Sequence, residues 1–140
     1  MVVPAEVFVD TSAWYPAAVR SHPDHRRLAL TLREVVAGGA RVVTTNLVVA
    51  ETHALLLRRT DRESALAYAR TVRRSPNLVV SSTPDLEAQA IEDWLARYAD
   101  QDFSFTDAVS FAVMAAREIG EAVTLDHHFA AAGFRVIPSR

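Results

Sequence analysis

Five short apolar runs, each separated from the next by helix-patterned sequence, set the narrowest limit on how this chain can fold. They are Val7-Phe8-Val9, Arg41-Val42-Val43-Thr44-Thr45, Leu78-Val79-Val80-Ser81, Ala122-Val123-Thr124-Leu125 and Phe134-Arg135-Val136-Ile137. All are rich in β-branched or aromatic residues and are too short to be buried helices, so they are expected as strands. The first helical segment, residues 12–19, is broken by Pro16, and the second, residues 23–37, is closed by Gly38-Gly39. Asn46 is positioned to cap a helix over 47–59, and Asp61 to start another running to Arg74. Thr83-Pro84, with Glu87 completing the cap, opens a helix that reaches Tyr98. A polar link over 100–103 leads to a very apolar helix over 105–119, ended by Gly120. Asp126 then caps a short helix stopped at Gly133. Strands alternating with helices predict an α/β protein with a parallel sheet covered on both faces.

Where the strands stop is as informative as where they run. The first ends on Asp10-Thr11-Ser12 and the fourth on Asp126. In open α/β sheets, ligands and chemistry collect outside the carboxyl ends of the strands. Either aspartate is explained equally well as the N-cap of the following helix. Glu51 is harder to dismiss. The residues three and four positions away are Leu47, Val48, Ala54 and Leu55, which puts it on an apolar helix face with no arginine within a turn. A carboxylate buried there needs an arginine, a cluster of donors or a metal ion. Asp107 follows Ser104 by three residues, as in a capping box, yet it opens a helix that is apolar nearly all round. Such a helix is central, and its first turn aims Asp107 and Ser110 into a covered space. Asp102, five residues earlier, is either solvated or part of the same site.

These acids converge if strands one and four are neighbours at the switch point of the sheet. Carboxylates so close would raise one another's pKa unless cations sat among them. The chain has no cysteine, which excludes disulfides, thiolate zinc sites and a cysteine nucleophile. All-oxygen ligation selects hard cations, Mg²⁺ or Mn²⁺. Two such ions about 4 Å apart are a device for phosphodiester cleavage. Charge fits this chemistry. Net charge is -2, but all 15 basic residues are arginine. With four of the 17 acids drawn into one pocket, the other 13 face 15 arginines, and the rest of the molecule carries +2. That balance suits a polyanionic substrate.

With the acids in place, the sequence resembles the PIN-domain ribonucleases, and among them the VapC-type toxins of toxin–antitoxin pairs. The resemblance is carried by Val7-Phe8-Val9-Asp10-Thr11-Ser12, Val49-Ala50-Glu51, Phe103-Ser104-Phe105-Thr106-Asp107-Ala108 and Thr124-Leu125-Asp126-His127-His128-Phe129. It implies a PIN-like three-layer α/β/α sandwich with a parallel five-stranded sheet in order 3-2-1-4-5. It also implies Mg²⁺- or Mn²⁺-dependent cleavage of RNA, a homodimer, and inhibition by a cognate antitoxin protein. Asp10, Glu51, Asp107 and Asp126 match the acidic metal-binding and catalytic set, and Thr11, Ser12 and Thr106 match polar neighbours that orient it.

At 140 residues, one domain spanning residues 1–140 is the simplest expectation. The opening Met1-Val2-Val3-Pro4-Ala5-Glu6 lacks a basic region and a long apolar core, and the apolar stretch 108–116 is too short to cross a bilayer. A cytoplasmic protein without membrane contact is therefore expected. His127 and His128 are expected at the surface or behind the ligands, because adjacent helical residues diverge by about 100°. The arginines at 58, 59, 62, 70, 73 and 74 form the densest basic stretch, either a solvated helix face or one turned toward RNA or antitoxin. Trp14 and Tyr15 either pack inward or line the groove. Phosphoaspartyl proteins share the architecture but need a lysine near the acyl phosphate, and this chain has none. The remaining alternatives are a PIN-fold module that binds a partner without catalysis, and a structure-specific DNA nuclease, since metal chemistry does not distinguish the sugar.

Overall fold

The computed structural model describes residues 5–74 and 76–139. The stretch on which the signal-peptide expectation rests lies largely outside them. Among the described residues no helix is long and apolar enough to cross a membrane.

Strand β1 (Glu6–Val9) leads into α1 (Thr11–Ala18) and α2 (His25–Ala37). Strand β2 (Arg41–Thr45) is followed by α3 (Asn46–Arg59) and α4 (Arg62–Val72). After β3 (Leu78–Val80) comes α5 (Pro84–Gln89), which continues as a π-helix over Ala90–Ala96. Helix α6 (Phe105–Ala116), β4 (Glu121–Val123), α7 (His128–Ala131) and β5 (Arg135–Ile137) complete the order. The five strands form one parallel sheet in order β3-β2-β1-β4-β5, the order that the family resemblance implies. Strand β1 is central, and its pairing with β4, Phe8 to Ala122 and Val9 to Val123, brings the ends of these two strands side by side.

The period-two geometry of β1 sends its side chains to opposite layers. Phe8 enters a core with Val43, Val109, Phe111, Met114 and Phe129. Val7 and Val9 enter the other, with Ala13, Leu28, Val42 and Val123. Both faces of the strand are thus dry, which is why its run is continuously apolar. The first core is aromatic at its centre. Phe111 meets Phe129 edge-on at 4.9 Å and Phe103 edge-on at 5.0 Å, and Trp94 lies tilted against it at 5.3 Å. A third cluster, Leu56, Ala65, Tyr68 and Val72, packs α3 on α4. At the opposite end of β1 from the strand tips, Glu6 is gripped by Arg41 and, at 2.9 Å, by Arg117.

Several boundaries depart from expectation. Pro16 lies inside α1 rather than ending it. A short helix tolerates it because only its late turn loses a donor. Thr45, not Asn46, caps α3 by accepting from the Val48 N–H; the Asn46 side chain instead accepts from the Ser82 N–H at 2.8 Å. That bond joins the start of α3 to the segment after β3. The long helix expected to reach Tyr98 changes to π-winding after Gln89. Helix α6 stops at Ala116, before Gly120. Its left-handed residue is Glu118, at φ 57°, with the Glu118 N–H on the Ala115 carbonyl and the Ile119 N–H on that of Met114. Gly39 and Gly133, at φ 90° and 99°, close α2 and α7 with the same paired bonds.

Candidate active site

Beyond the tips of β1 and β4 the chain encloses an open cavity of about 600 Å³. All four acids singled out from sequence, Asp10, Glu51, Asp107 and Asp126, line it, and so do Asp24 and Asp102.

Asp10 is placed by the end of β1 and is 4% exposed. Its backbone N–H continues the β1–β4 ladder to the Val123 carbonyl at 3.1 Å. Its carboxylate caps α1, accepting from the Ser12 N–H at 3.3 Å and the Ser12 hydroxyl at 2.9 Å. Thr124 Oγ1 approaches the same oxygen at 3.1 Å, and the two hydroxyls lie 2.9 Å apart. Burial pushes the Asp10 carboxyl up to about 6; the Ser12 hydrogen bond opposes this, and the charge of Asp107 adds to it. Asp107, 8% exposed, completes a capping box: its N–H donates to Ser104 Oγ at 3.0 Å, and its Oδ2 accepts from the Ser104 N–H at 3.1 Å. Burial also raises its pKa, opposed by that N–H and reinforced by Asp126. Asp126 accepts from the His128 N–H at 2.9 Å and so orders the entry to α7.

Asp10 and Asp107 are therefore both helix-entry caps and cavity residues, whereas Asp126, expected to cap α7, lies one residue before its N-cap His127. The two explanations do not compete, because both helices begin at the cavity and their capping carboxylates line it.

Glu51 corrects the expectation of burial. The inward face of α3 is Val48, Thr52 and Leu56, all fully buried. Glu51 lies one residue round from it and is exposed on the cavity wall, in a stripe with Leu55 and Arg59. Its apolar neighbours in sequence pack beside it rather than over it. Ser110 is fully buried, but its hydroxyl turns back to the Thr106 carbonyl at 2.9 Å. Neither Ser110 nor Thr106 lines the cavity, whereas Thr11 and Ser12 do.

His128 is more central than its sequence position indicated. Its Nδ1 stands 3.3 Å from Asp107 Oδ2 and 3.4 Å from Asp126 Oδ1, and Phe103 meets its ring edge-on at 5.4 Å. His127 is exposed, and its Nδ1 is 3.8 Å from Asp126 Oδ1. Because His127 precedes α7 as its cap, helical divergence does not separate the pair; ligand atoms of Asp126, His127 and His128 all fall within 4.8 Å. Tyr15, His22, Asp24 and Arg59 complete the opposite wall, which sequence reasoning left undecided or did not single out. Only Asp24 and His22, in the turn before α2, lacked a pattern that could have marked them.

The donor set is chemically suited to a hard divalent cation. Two buried carboxylates held apart from ordinary ionisation by burial and by each other gain most from a cation that restores the charged form. Their other neighbours are hydroxyls and carboxylates, with one imidazole behind them.

A parallel sheet in order β3-β2-β1-β4-β5 with an acidic hollow at the tips of its central strands defines the class as an α/β protein with its site at the switch point of the sheet. Residues 7–135 match the PIN domain family. Over 129 residues the chain is 42% identical to the 23S rRNA-specific endonuclease VapC20 of Mycobacterium tuberculosis, covering 91% of this chain and 95% of that protein. The crystal structure of VapC20, described as a Sarcin-Ricin loop cleaving toxin, superposes with a TM-score of 0.81 at 37% identity, over 91% of this chain and 95% of that one. VapBC2 of Rickettsia felis, bound to a DNA fragment from its promoter, matches at TM-score 0.70 and 14% identity, over 94% and 96% of the two chains. FitAcB of Neisseria gonorrhoeae matches at 0.63 and 16%, over 93% and 95%. The last two share the fold alone. The chain belongs to the PIN-domain family and, within it, to the VapC-type endoribonuclease toxins.

Proposed function

We propose that this protein cuts structured ribosomal RNA, that Asp10, Glu51, Asp107 and Asp126 are its catalytic and metal-binding residues, and that the ion is Mg²⁺ or Mn²⁺. One observation carries the reading: four acids scattered through the sequence line a single cavity, and the two most buried are pushed toward protonation. The substrate class is supported by the relative's name, a 23S rRNA-specific endonuclease.

A bound divalent cation supplies Lewis acidity, lowering the pKa of a water and stabilising developing charge on the leaving oxygen. The protein's part is to hold its carboxylates still. Ser12 and Thr124 fix Asp10 from two sides, and the Ser104 N–H fixes Asp107. Asp126 engages the His128 N–H through Oδ1, which leaves Oδ2 to orient the attacking water and take its proton. The water oxygen bonds to phosphorus as the P–O3′ bond breaks, and the departing 3′-oxygen takes a proton from solvent, giving a 5′-phosphate and a 3′-hydroxyl. A cognate antitoxin and a homodimeric assembly complete the proposal, by analogy with toxin–antitoxin relatives.

The test is to incubate the pure protein with total RNA, with and without EDTA, and to map new 5′ ends. Discrete metal-dependent ends in 23S rRNA, lost in Asp10→Asn and Asp107→Asn proteins that still fold, are the expected result. Cleavage at wild-type rate by either variant would overturn the residue assignment.

A further inference from the structure

We propose that Arg59, seated over the ring of Tyr15, is a phosphate-binding subsite for the RNA on the wall of the acidic cavity, a proposal that rests on the nuclease reading above. The structure separates Trp14 from Tyr15. Trp14 turns inward, meeting Tyr68 edge-on at 5.7 Å and directing its indole N–H toward Thr44 Oγ1 at 3.4 Å. Tyr15 faces the cavity. Thr11 and Tyr15, four apart on α1, and Glu51, Leu55 and Arg59, spaced by four on α3, form two adjoining stripes along the same wall. The guanidinium of Arg59 stands 5.9 Å from the centre of the Tyr15 ring. The edge of that ring is met by His22 at 5.7 Å and 86°, and His22 Nδ1 in turn accepts from the Asp24 N–H at 3.1 Å. The platform is thus fixed from α1, α3 and the turn before α2.

Electrostatics gives the platform its role. The cavity is lined by six carboxylates and one arginine, and among the described residues no carboxylate pairs with that arginine. Such a hollow repels a polyanion wherever bound cations do not neutralise it. The other arginines of the dense basic stretch, at 58, 62, 70, 73 and 74, are exposed and do not line the cavity. Arg59 lies two helical turns beyond Glu51, about 12 Å along α3. That separation suits a phosphate flanking the one cut. A guanidinium held over an aromatic face at cation–π distance has its position restricted, so less side-chain freedom is lost when it grips a phosphate bidentately.

The test uses a labelled RNA stem–loop carrying the cleavage sequence, bound to Asp10→Asn protein so that no RNA is cut. Anisotropy is followed from about 50 to 200 mM salt. Adding Arg59→Ala should weaken binding about tenfold and reduce the slope of log K against log salt by about one. Arg59→Lys should keep the slope but bind several-fold more weakly, because an ammonium does not stack as a guanidinium does. In the active protein, Arg59→Ala should raise KM while kcat changes by less than about threefold. Equal affinity and equal slope with and without Arg59, in a protein whose wild type cuts RNA, would overturn the subsite and leave the nuclease standing. A wild type that neither binds nor cuts RNA would overturn both.

Discussion

Thr124 Oγ1 lies 3.1 Å from Asp10 Oδ2, joining residues 114 positions apart at the paired tips of β4 and β1. The same hydroxyl accepts from the Asp126 N–H at 2.9 Å, so it links two of the four candidate ligands. Thr124 and Ser12 have two hydroxyl protons for three close oxygen–oxygen approaches, to Asp10 and to each other. A proton on Asp10 would supply the third.

Replacing Thr124 with valine keeps the shape and removes this link. The Asp126 N–H loses its partner, which should cost about 1–3 kcal/mol in urea denaturation. RNA cleavage should fall about 10- to 100-fold through misplaced carboxylates. Thr124→Ser should recover most of both. Unchanged cleavage by Thr124→Val would show that the hydroxyl does not position Asp10.

Without divalent cations, acid should at first stabilise the fold. Asp10 is pushed up to about 6 from an ordinary value of 3.8, so between these pH values the folded state holds a proton that the unfolded chain has released. Stability must then increase as pH falls from 7 toward 4, by on the order of 2–3 kcal/mol, with Asp107 acting in the same direction. Glu6 works oppositely. Hydrogen bonds from Arg117 and Arg41 hold its carboxyl below the usual 4.5, and its contribution fades as pH falls below that value. Urea titrations in EDTA should therefore show a stability maximum on the acid side of neutrality. A monotonic fall from pH 7 downward would contradict the burial of Asp10.

Adding Mn²⁺ at pH 7 should reverse that preference. Binding to the folded state alone raises Tm, on the order of 5–10 °C at saturating ion. The gain should shrink below pH 6, where protons compete for Asp10. Thermal melts of Asp10→Asn should show little of the shift. A full shift in that variant would place the ion elsewhere, for instance at Asp126, His127 and His128.

Glu118 occupies the left-handed position that ends α6, exposed and at φ 57°. Glu118→Gly should stabilise the protein by about 1 kcal/mol, since glycine adopts this conformation without the Cβ clash. A rise of a few degrees in Tm, with cleavage unaltered, is the expected readout.

All five strands and their parallel arrangement were legible because short β-branched runs alternate with helix-patterned segments, whereas their order in the sheet came only from the family resemblance. Ends of elements were less so. Asn46 and Thr45 are both competent caps, and only the proximity of the Ser82 N–H draws Asn46 away. Gly120 was the natural stop for α6, but the helix ends at Ala116, three residues short of expectation, with Met114 and Ile119 both buried and the Ile119 N–H on the Met114 carbonyl. Glu51 shows the limit most plainly. Helical spacing located an acid among apolar residues, but whether that face is covered depends on where α1 ends and the cavity begins.

Residue order alone determined the parallel sheet, the strand-tip aspartates and the acidic set, since each follows from local patterning and from the chain's fixed directionality. Only the folded molecule decided that Asp10 is buried, that His128 stands between two carboxylates, and that Arg59 lies over Tyr15. Those relationships join residues tens of positions apart. Their energies depend on distance and solvent exclusion, which no local pattern encodes.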